Sequence, residues 1–208
     1  MKIGFVTERM LTGFGVDMVI DRVARGLGER GHEVTVYASV TDETLNSDSY
    51  RLKLVPTPAS SFFPRYDLSA QRHLGFLNSE ANDVYLVETF PFFSLLPRLK
   101  APTVAVDHGV SSTEGFPAKI RANFSYVRFM QYRFYLKYAS RIVMVSEYLK
   151  AGLPAALQKK TSVIYNGADH YAGTVAKVTG ELRKSLGVDE SNILLLYVGR
   201  LSSADQPY

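Results

Sequence analysis

The stretch GFGVDMVIDRVARGLGERGHEVTVYAS, residues 13–39, decides the fold class of this sequence. It contains a helix predicted for Val16–Arg30, whose apolar face at helical spacing consists of Val16, Val19, Ile20, Val23 and Leu27. Gly31 closes that helix, and Glu33–Ala38 (EVTVYA) follows as a strand. Lys2–Thr7 (KIGFVT) is an apolar strand before the helix. Such strands without a polar face predict a parallel sheet with helices on both sides.

The same alternation continues along the chain to residue 165. Further strands are predicted at Tyr50–Val55, Asp83–Val87, Thr103–Asp107, Arg141–Val145 and Thr161–Tyr165. Helices are predicted at Asp67–Asn78, Pro91–Leu99 and Pro117–Ser140, and Ser146 is a suitable N-cap for one more. Repeated βα units predict an α/β fold, a Rossmann-like doubly wound parallel sheet.

Composition narrows the class of protein. The 208 residues are 46% hydrophobic and 21% charged, as in soluble globular proteins. No apolar stretch approaches the roughly 20 residues that span a bilayer. The chain has no cysteine, which excludes disulfides and thiolate metal sites and fits a cytoplasmic location. Its net charge of +4 favours anionic partners, although a solvated basic surface without a role would look the same.

Ligands of open α/β sheets bind beyond the carboxyl ends of the strands, so the loop Glu8–Asp17 is the first candidate site. Gly13 and Gly15 precede a helix, whose N-terminus could face a phosphate. A dinucleotide fingerprint would place a glycine at Met18 and the first glycine in a tight turn, whereas Gly13 comes about six residues after the predicted strand. No acidic residue follows directly after Ala38-Ser39. An NAD-dependent oxidoreductase is therefore disfavoured.

Two further predicted strands end in polar residues. Glu88 could bind a sugar hydroxyl or cap the helix near Pro91, and the cap is the preferred interpretation. Asp107-His108-Gly109 could place an imidazole over the cleft, or the histidine could be bonded within its own loop. The four histidines lack metal-binding spacing, and no hydrolase motif occurs.

The predicted helix Pro117–Ser140 has an unusual charge pattern. One face carries Ile120, Phe124, Val127, Phe134 and Tyr138, and another carries Lys119, Arg133, Lys137 and Arg141, with Tyr126 and Met130 between them. No acidic residue occurs from Gly115 to Ser146. The basic face could be solvated, lie on anionic lipid headgroups or bind nucleic acid. The preferred interpretation is a core helix with a solvated basic side, and peripheral membrane contact through residues 117–140 is the first alternative. No nucleic-acid-binding motif occurs, so we expect no nucleic acid as a partner.

The residues after 165 do not continue the regular alternation of strands and helices. Asn166-Gly167 is a turn signal, and Ala168–Asn192 is polar with one short helical segment, Gly180–Leu186. Ile193–Val198 is a predicted strand that leads into Gly199-Arg200, a pair that suits a diphosphate. We therefore expect a domain at 1–167, a connection at 168–192 and the opening of another domain at 193–208.

The ordered segments GFGVDMVIDRVARGLGERGHEVTVYAS (13–39), RIVMVSEYLKAGL (141–153), VIYNGAD (163–169) and ILLLYVGRL (193–201) resemble the N-terminal half of a GT-B glycosyltransferase of the retaining group 1 (GT4) family. In that family two Rossmann-like domains face each other across a cleft. The resemblance implies that 1–167 is the acceptor-side domain and that 193–208 begins a truncated nucleotide-sugar domain.

The resemblance also implies roles for individual residues. The acceptor would be contacted by Gly13, Phe14, Gly15 and Asp17, and Phe14 stands where the family often has glycine. His108 would be a catalytic residue that interacts with the transferred sugar. Gly15, Gly199 and Arg200 would bind the donor diphosphate; Glu88, Asp107 and Asn166 are other cleft candidates. The family's partner lysine, usually a few residues after the arginine, has no match through Tyr208.

The implied activity is hexosyl transfer with retention, from a UDP- or GDP-hexose to a glycan or lipid-linked acceptor, with no metal or cofactor. We expect the 208-residue chain alone to be inactive, and the protein to be cytoplasmic or at the inner face of the membrane. The alternatives are a standalone Rossmann-like nucleotide- or sugar-binding module and a nucleotide-sugar epimerase of GT-B architecture.

Overall fold

The chain forms a seven-stranded, all-parallel sheet flanked by helices. The computed structural model describes residues 1–42, 45, 47–56, 65–88, 91–109, 113, 115–167, 181–189 and 191–195. The strands are β1 (Lys2–Met10), β2 (Glu33–Thr41), β3 (Arg51–Leu54), β4 (Val84–Val87), β5 (Thr103–Asp107), β6 (Arg141–Met144) and β7 (Thr161–Val163). The helices are α1 (Gly15–Glu29), α2 (Arg65–Gln71), α3 (Leu74–Ser79), α4 (Ala118–Met130), α5 (Glu147–Ala151), α6 (Ala155–Gln158) and α7 (Glu181–Ser185).

The strand order is β3-β2-β1-β4-β5-β6-β7, which confirms the predicted doubly wound Rossmann-like sheet. The chain first adds β2 and β3 on one side of β1 and then places β4 on its other side. In register, Val6 of β1 lies opposite Tyr37 on one neighbour and Val87 on the other. The crevice at such a reversal of strand order is where open α/β sheets bind ligands.

Each face of the sheet is buried in its own apolar cluster. Successive side chains of a strand point to opposite faces, so Phe5 and Val6, both fully buried, belong to different clusters. Phe5 packs in the cluster with Ile20 and Ala24 of α1. Val6 packs in the cluster with Phe92 of a 3₁₀ turn (Phe92–Leu95). Burial on both faces explains why the strand sequences lack a polar side.

Two central strands are longer than predicted. β1 continues to Met10 and β2 to Thr41, because Met10 pairs with Thr41 across the parallel ladder. Gly13 therefore follows its strand after only Leu11 and Thr12, and the prediction of a six-residue gap was wrong. The prediction that no acidic residue follows the second strand was wrong as well, since Asp42 comes directly after β2.

Two predicted helices are interrupted. The helix predicted for Asp67–Asn78 is two helices, α2 and α3, and Pro91–Leu99 contains only the 3₁₀ turn Phe92–Leu95. The long helix predicted for Pro117–Ser140 is α4 followed by a π-helical turn, Gln131–Tyr135, and a 3₁₀ turn, Leu136–Tyr138.

The π-helical turn corrects the predicted apolar face. A π turn holds more residues than an α turn, so the residues after it are rotated about the axis. Phe134 and Tyr138 were expected on the apolar face, but their exposed fractions are 43% and 53%. Leu136 and Ala139 are buried instead.

The chain divides into two compact units. The first is Met1–Thr113 with Pro117–Tyr165, and the second is Glu114–Phe116 with Asn166–Tyr208. In the second unit α7 matches the predicted Gly180–Leu186 segment, residues 193–195 form no strand, and 196–208 lie outside the described residues. The boundaries 1–167, 168–192 and 193–208 stay a prediction. Within the described part of the chain no helix is long and apolar enough to cross a membrane.

Candidate functional site

The loop after β1 is held in a fixed shape by two aspartates. The Leu11 N–H donates to Asp17 Oδ2 at 2.9 Å, and the Thr12 N–H donates to Asp42 Oδ2 at 2.8 Å. Gly13 takes the left-handed conformation with φ +87°, which favours glycine. Phe14 is extended and is the N-cap position of α1. The strand-to-helix turn is therefore fixed by hydrogen bonds within the protein itself.

Asp17 lies inside this loop. Its carboxylate is 2% exposed and forms an ion pair with Arg9 Nε at 3.2 Å. Burial raises the pKa of Asp17, while the Leu11 N–H and the Arg9 charge act in the opposite direction. The Arg9 guanidinium also lies over the Phe14 ring, 4.1 Å from its centroid. The carboxylate thus holds the loop together, and acceptor binding by Asp17 stays a prediction.

The N-terminus of α1 has open space beside it. A Cβ atom added to Gly13 or Gly15 would meet no atom within 4 Å among the described residues. The first N–H groups of a helix have no intrahelical partner, and the helix dipole adds partial positive charge there. This end of a 15-residue helix can therefore accept an anionic group against its backbone.

Glu88 and His108 form a buried pair at the ends of β4 and β5, which are neighbours in the sheet. Their side chains are 4% and 9% exposed, and Glu88 Oε2 lies 3.1 Å from His108 Nε2. Burial raises the pKa of Glu88, and His108 partly opposes this. The 3₁₀ turn after Glu88 has no side-chain cap, so the preferred interpretation of Glu88 as a helix cap was wrong.

Asp107 uses its carboxylate within its own loop. The Gly109 N–H donates to Asp107 Oδ1 at 2.8 Å. Burial raises the pKa of Asp107, and the charges of His108 and Arg128 act against that rise. Gly109 has φ +64°, and a Cβ there would collide with the side chain of Leu149. The loop after β5 therefore depends on a glycine at this position.

The structure brings most of the predicted site residues to one edge of the sheet. Gly13–Asp17, Glu88, Asp107 and His108 follow β1, β4 and β5, and the Glu88 N–H donates to Val6 O on β1. Asn166 is exposed and falls in the second unit. Gly199 and Arg200 lie outside the described residues. In the ranges that are described, no group of three His, Asp or Glu residues could hold a metal ion.

Sequence reasoning missed Arg9 and Asp42. Both were hidden by strand ends placed too early, since Arg9 belongs to β1 and Asp42 follows β2. The available signal was the placement of charged residues at the carboxyl ends of two central strands, where side chains face ligands rather than the core.

A family model confirms the resemblance drawn from the motifs. The model for Glycosyltransferase Family 4 matches residues 15–171, which include α1 and all strands from β2 to β7. No curated protein matches this sequence.

Solved glycosyltransferases share the fold. A glycosyltransferase from Rickettsia africae ESF-5 is 16% identical to this chain, with a TM-score of 0.58. The match covers 91% of this chain and 50% of the Rickettsia protein. HepE from Anabaena, crystallised with UDP and glucose, is 18% identical with a TM-score of 0.54 and coverages of 90% and 50%. WaaG, a glycosyltransferase involved in lipopolysaccharide biosynthesis, is 17% identical with a TM-score of 0.50 and coverages of 90% and 52%. The chain thus spans about half the length of each.

Proposed function

This chain belongs to Glycosyltransferase Family 4, and from that premise we propose that it is the acceptor-side half of a retaining hexosyltransferase. The whole enzyme would move a hexose from a nucleoside diphosphate to a hydroxyl of a glycan or lipid-linked acceptor. The observation that carries the proposal is the convergence of an open helix N-terminus and the buried Glu88–His108 pair at the reversal of strand order.

The α1 N-terminus would face the donor diphosphate through Gly13 and Gly15. Departure of a nucleoside diphosphate develops negative charge, and preorganised backbone N–H groups and cations stabilise it without moving. Arg200 would add the cation and Gly199 a backbone contact beside it, and no metal or cofactor is part of the proposal. Support comes from the free space at both glycines and from the preformed loop.

The acceptor would lie between the loop after β1 and His108. Phe14, whose ring packs under the Arg9 guanidinium, would line the acceptor side of this loop, while Asp17 fixes the loop. His108 would contact a hydroxyl of the transferred sugar, and Asp107 and Asn166 are further cleft candidates. The donor would be a UDP-hexose or a GDP-hexose; HepE, which shares the fold, was crystallised with UDP and glucose.

We also propose that the enzyme docks on anionic membrane surfaces through a basic-aromatic surface. We define it as the exposed residues Lys119, Arg121, Tyr126, Arg128, Phe129, Arg133, Phe134, Lys137, Tyr138 and Arg141. Amphipathic segments of this composition bind lipid headgroups, and a lipid-linked acceptor would be reached from that position.

Two features support that docking. α4 contains no buried residue, although it is a 13-residue helix, and residues 115–146 contain no acidic side chain. The π turn also places Phe129 and Phe134 in edge-to-face contact, with ring centroids 5.8 Å apart. Residues five apart do not meet on an α-helix, so the π turn creates this exposed aromatic pair.

The test of the proposed function is hexose transfer measured with labelled UDP- and GDP-hexoses. We expect transfer from a protein that contains this domain together with a nucleotide-sugar domain, and none from the 208-residue chain. Turnover by the chain alone near the ordinary enzymatic range of about 1–10³ s⁻¹ would contradict the division of the site between two domains.

A further inference from the structure

The Glu88–His108 pair leaves one buried polar atom without a partner. Among the described residues His108 Nδ1 is buried and forms no hydrogen bond, while Nε2 lies 3.1 Å from Glu88 Oε2. The side chain as a whole is only 9% exposed. Buried polar side-chain atoms are paired in the large majority of cases, so an unpaired one at a ligand-binding edge indicates the place of a ligand atom.

The two ring nitrogens are not equivalent in this environment. When Glu88 is ionised, its carboxylate can only accept hydrogen bonds, so its contact with Nε2 favours the tautomer with hydrogen on Nε2. In a neutral imidazole, Nδ1 then carries the free lone pair and accepts a hydrogen bond. The other nearby carboxylate, Asp107, accepts from the Gly109 N–H at 2.8 Å.

We propose that Glu88 is a positioning residue that holds His108 in the Nε2–H form and presents Nδ1 as the acceptor for a substrate hydroxyl. This inference rests on the proposed function, because the hydroxyl is taken to belong to a sugar. The role assigned to Glu88 acts entirely through His108, since Glu88 itself is 4% exposed and contacts Nε2, the ring nitrogen other than Nδ1.

The test is the tautomer of His108, measured by long-range ¹H–¹⁵N correlation NMR on the ligand-free 208-residue chain. The spectrum is recorded well above the ordinary histidine pKa of about 6.5, and His108→Gln assigns the resonance. A hydrogen bond to a carboxylate should favour the Nε2–H form by at least about tenfold. A wild-type protein in which Nδ1 carries the hydrogen would overturn the proposal without any variant.

The variant Glu88→Gln distinguishes positioning from mere proximity. Its amide can donate to Nε2 as well as accept, so the ratio of tautomers should fall at least about threefold. The matched control is Asp107→Asn, which neutralises the neighbouring carboxylate that binds the Gly109 N–H and not the imidazole. The amide oxygen of Asn can still accept from the Gly109 N–H, so the ratio should stay unchanged. An unchanged ratio in Glu88→Gln, or an equal fall in Asp107→Asn, overturns the proposal.

A titration with UDP-glucose and with glucose, carried out on a protein that contains this domain together with a nucleotide-sugar domain, separates this inference from the proposed function. A change in the Nδ1 resonance with the tautomer preserved supports the hydroxyl contact, and a bound ligand that leaves Nδ1 unchanged overturns it. Absence of binding, seen as no change in any resonance, would count against the proposed function. The tautomer of the ligand-free chain is measured independently of that outcome.

Discussion

At the scale of single residues, the site depends on carboxylates that accept hydrogen bonds from the backbone N–H groups of its loops. Asp17 holds the turn after β1, Asp42 bonds to Thr12 in that turn, and Asp107 holds the turn after β5. Glu88 differs, because its carboxylate contacts a side chain on the neighbouring strand's loop. These groups shape the backbone that would meet the substrate.

Gly109→Ala should destabilise the protein by about 2–4 kcal/mol. The substitution forces φ +64° on a residue with a Cβ and drives that atom into Leu149. Chemical denaturation measures the loss. Gly152→Ala is the matched control, because Gly152 has φ −74° and an added Cβ comes no closer than 3.4 Å to its neighbours, so we expect a change within about 0.5 kcal/mol. Equal losses in the two variants would contradict the role of Gly109.

Asp17→Asn should change the pH dependence of stability. Burial raises the pKa of Asp17 above 3.8, so the folded state binds that proton more tightly than the unfolded state. Wild-type stability relative to Asp17→Asn must then fall as the pH rises from 3.8 through the raised pKa. Each tenfold difference in proton affinity corresponds to about 1.4 kcal/mol. Urea unfolding at acidic and neutral pH checks this, and a relative gain for the wild type at neutral pH would refute it.

At the scale of elements, the regular structure follows local signals closely. Ser146, predicted as an N-cap, accepts a hydrogen bond from the Leu149 N–H at 3.2 Å, and β5 has the predicted bounds. The π turn at Gln131–Tyr135 could not be predicted, because no glycine or proline marks it. Packing of Tyr132, Tyr135 and Leu136 against the core accompanies it, and such tertiary contacts are not encoded in helical periodicity.

Ser146→Ala should lower the free energy of unfolding by about 1 kcal/mol, because α5 loses its side-chain cap. Ser146→Asp restores an acceptor at the same position and should recover most of that stability. Thermal or urea unfolding measures both variants. If the two substitutions cost the same, the hydroxyl does not stabilise α5 as a cap.

Charge reversal on the basic-aromatic surface should weaken membrane binding. Arg133→Glu with Lys137→Glu should reduce co-sedimentation with phosphatidylserine-containing vesicles more than tenfold, since each basic residue contributes about 1 kcal/mol near an anionic surface. Phe129→Ser with Phe134→Ser should weaken binding without changing its dependence on salt. The matched control is Arg22→Glu with Lys100→Glu, two exposed residues outside this surface that change the net charge equally.

In the control pair, vesicle binding should stay within about twofold of the wild type, because electrostatic attraction falls off within a Debye length of the surface. Equal losses in both charge-reversal pairs would mean that net charge alone drives binding. If the surface binds single-stranded oligonucleotides in preference to vesicles, its partner is a nucleic acid and not a lipid surface.

At the scale of the whole molecule, sheet topology gathers the candidate site. Residues that are distant in sequence, from Arg9 to His108, lie along one edge of the sheet because β1, β4 and β5 are parallel neighbours whose carboxyl ends share that edge. Sequence reasoning predicted that edge and most of its residues from strand ends alone. It could not predict which carboxylates bind the backbone of the protein itself. Their partners are backbone N–H groups, and the positions of these groups depend on the loop geometry.

The proposed division of the donor site between two domains predicts weak nucleotide binding by this chain. In a thermal-shift titration with UDP, GDP, ADP and their hexose conjugates, we expect no saturable rise in Tm, because most base and sugar contacts would come from the second domain. A ligand at 100 times its Kd would add about 2.7 kcal/mol of stability, which raises Tm by several degrees in a protein of this size. A saturable rise with one nucleotide would instead favour a standalone binding module. Gly15→Asp, which places a carboxylate at the N-terminus of α1, should then abolish the rise if the phosphates bind there.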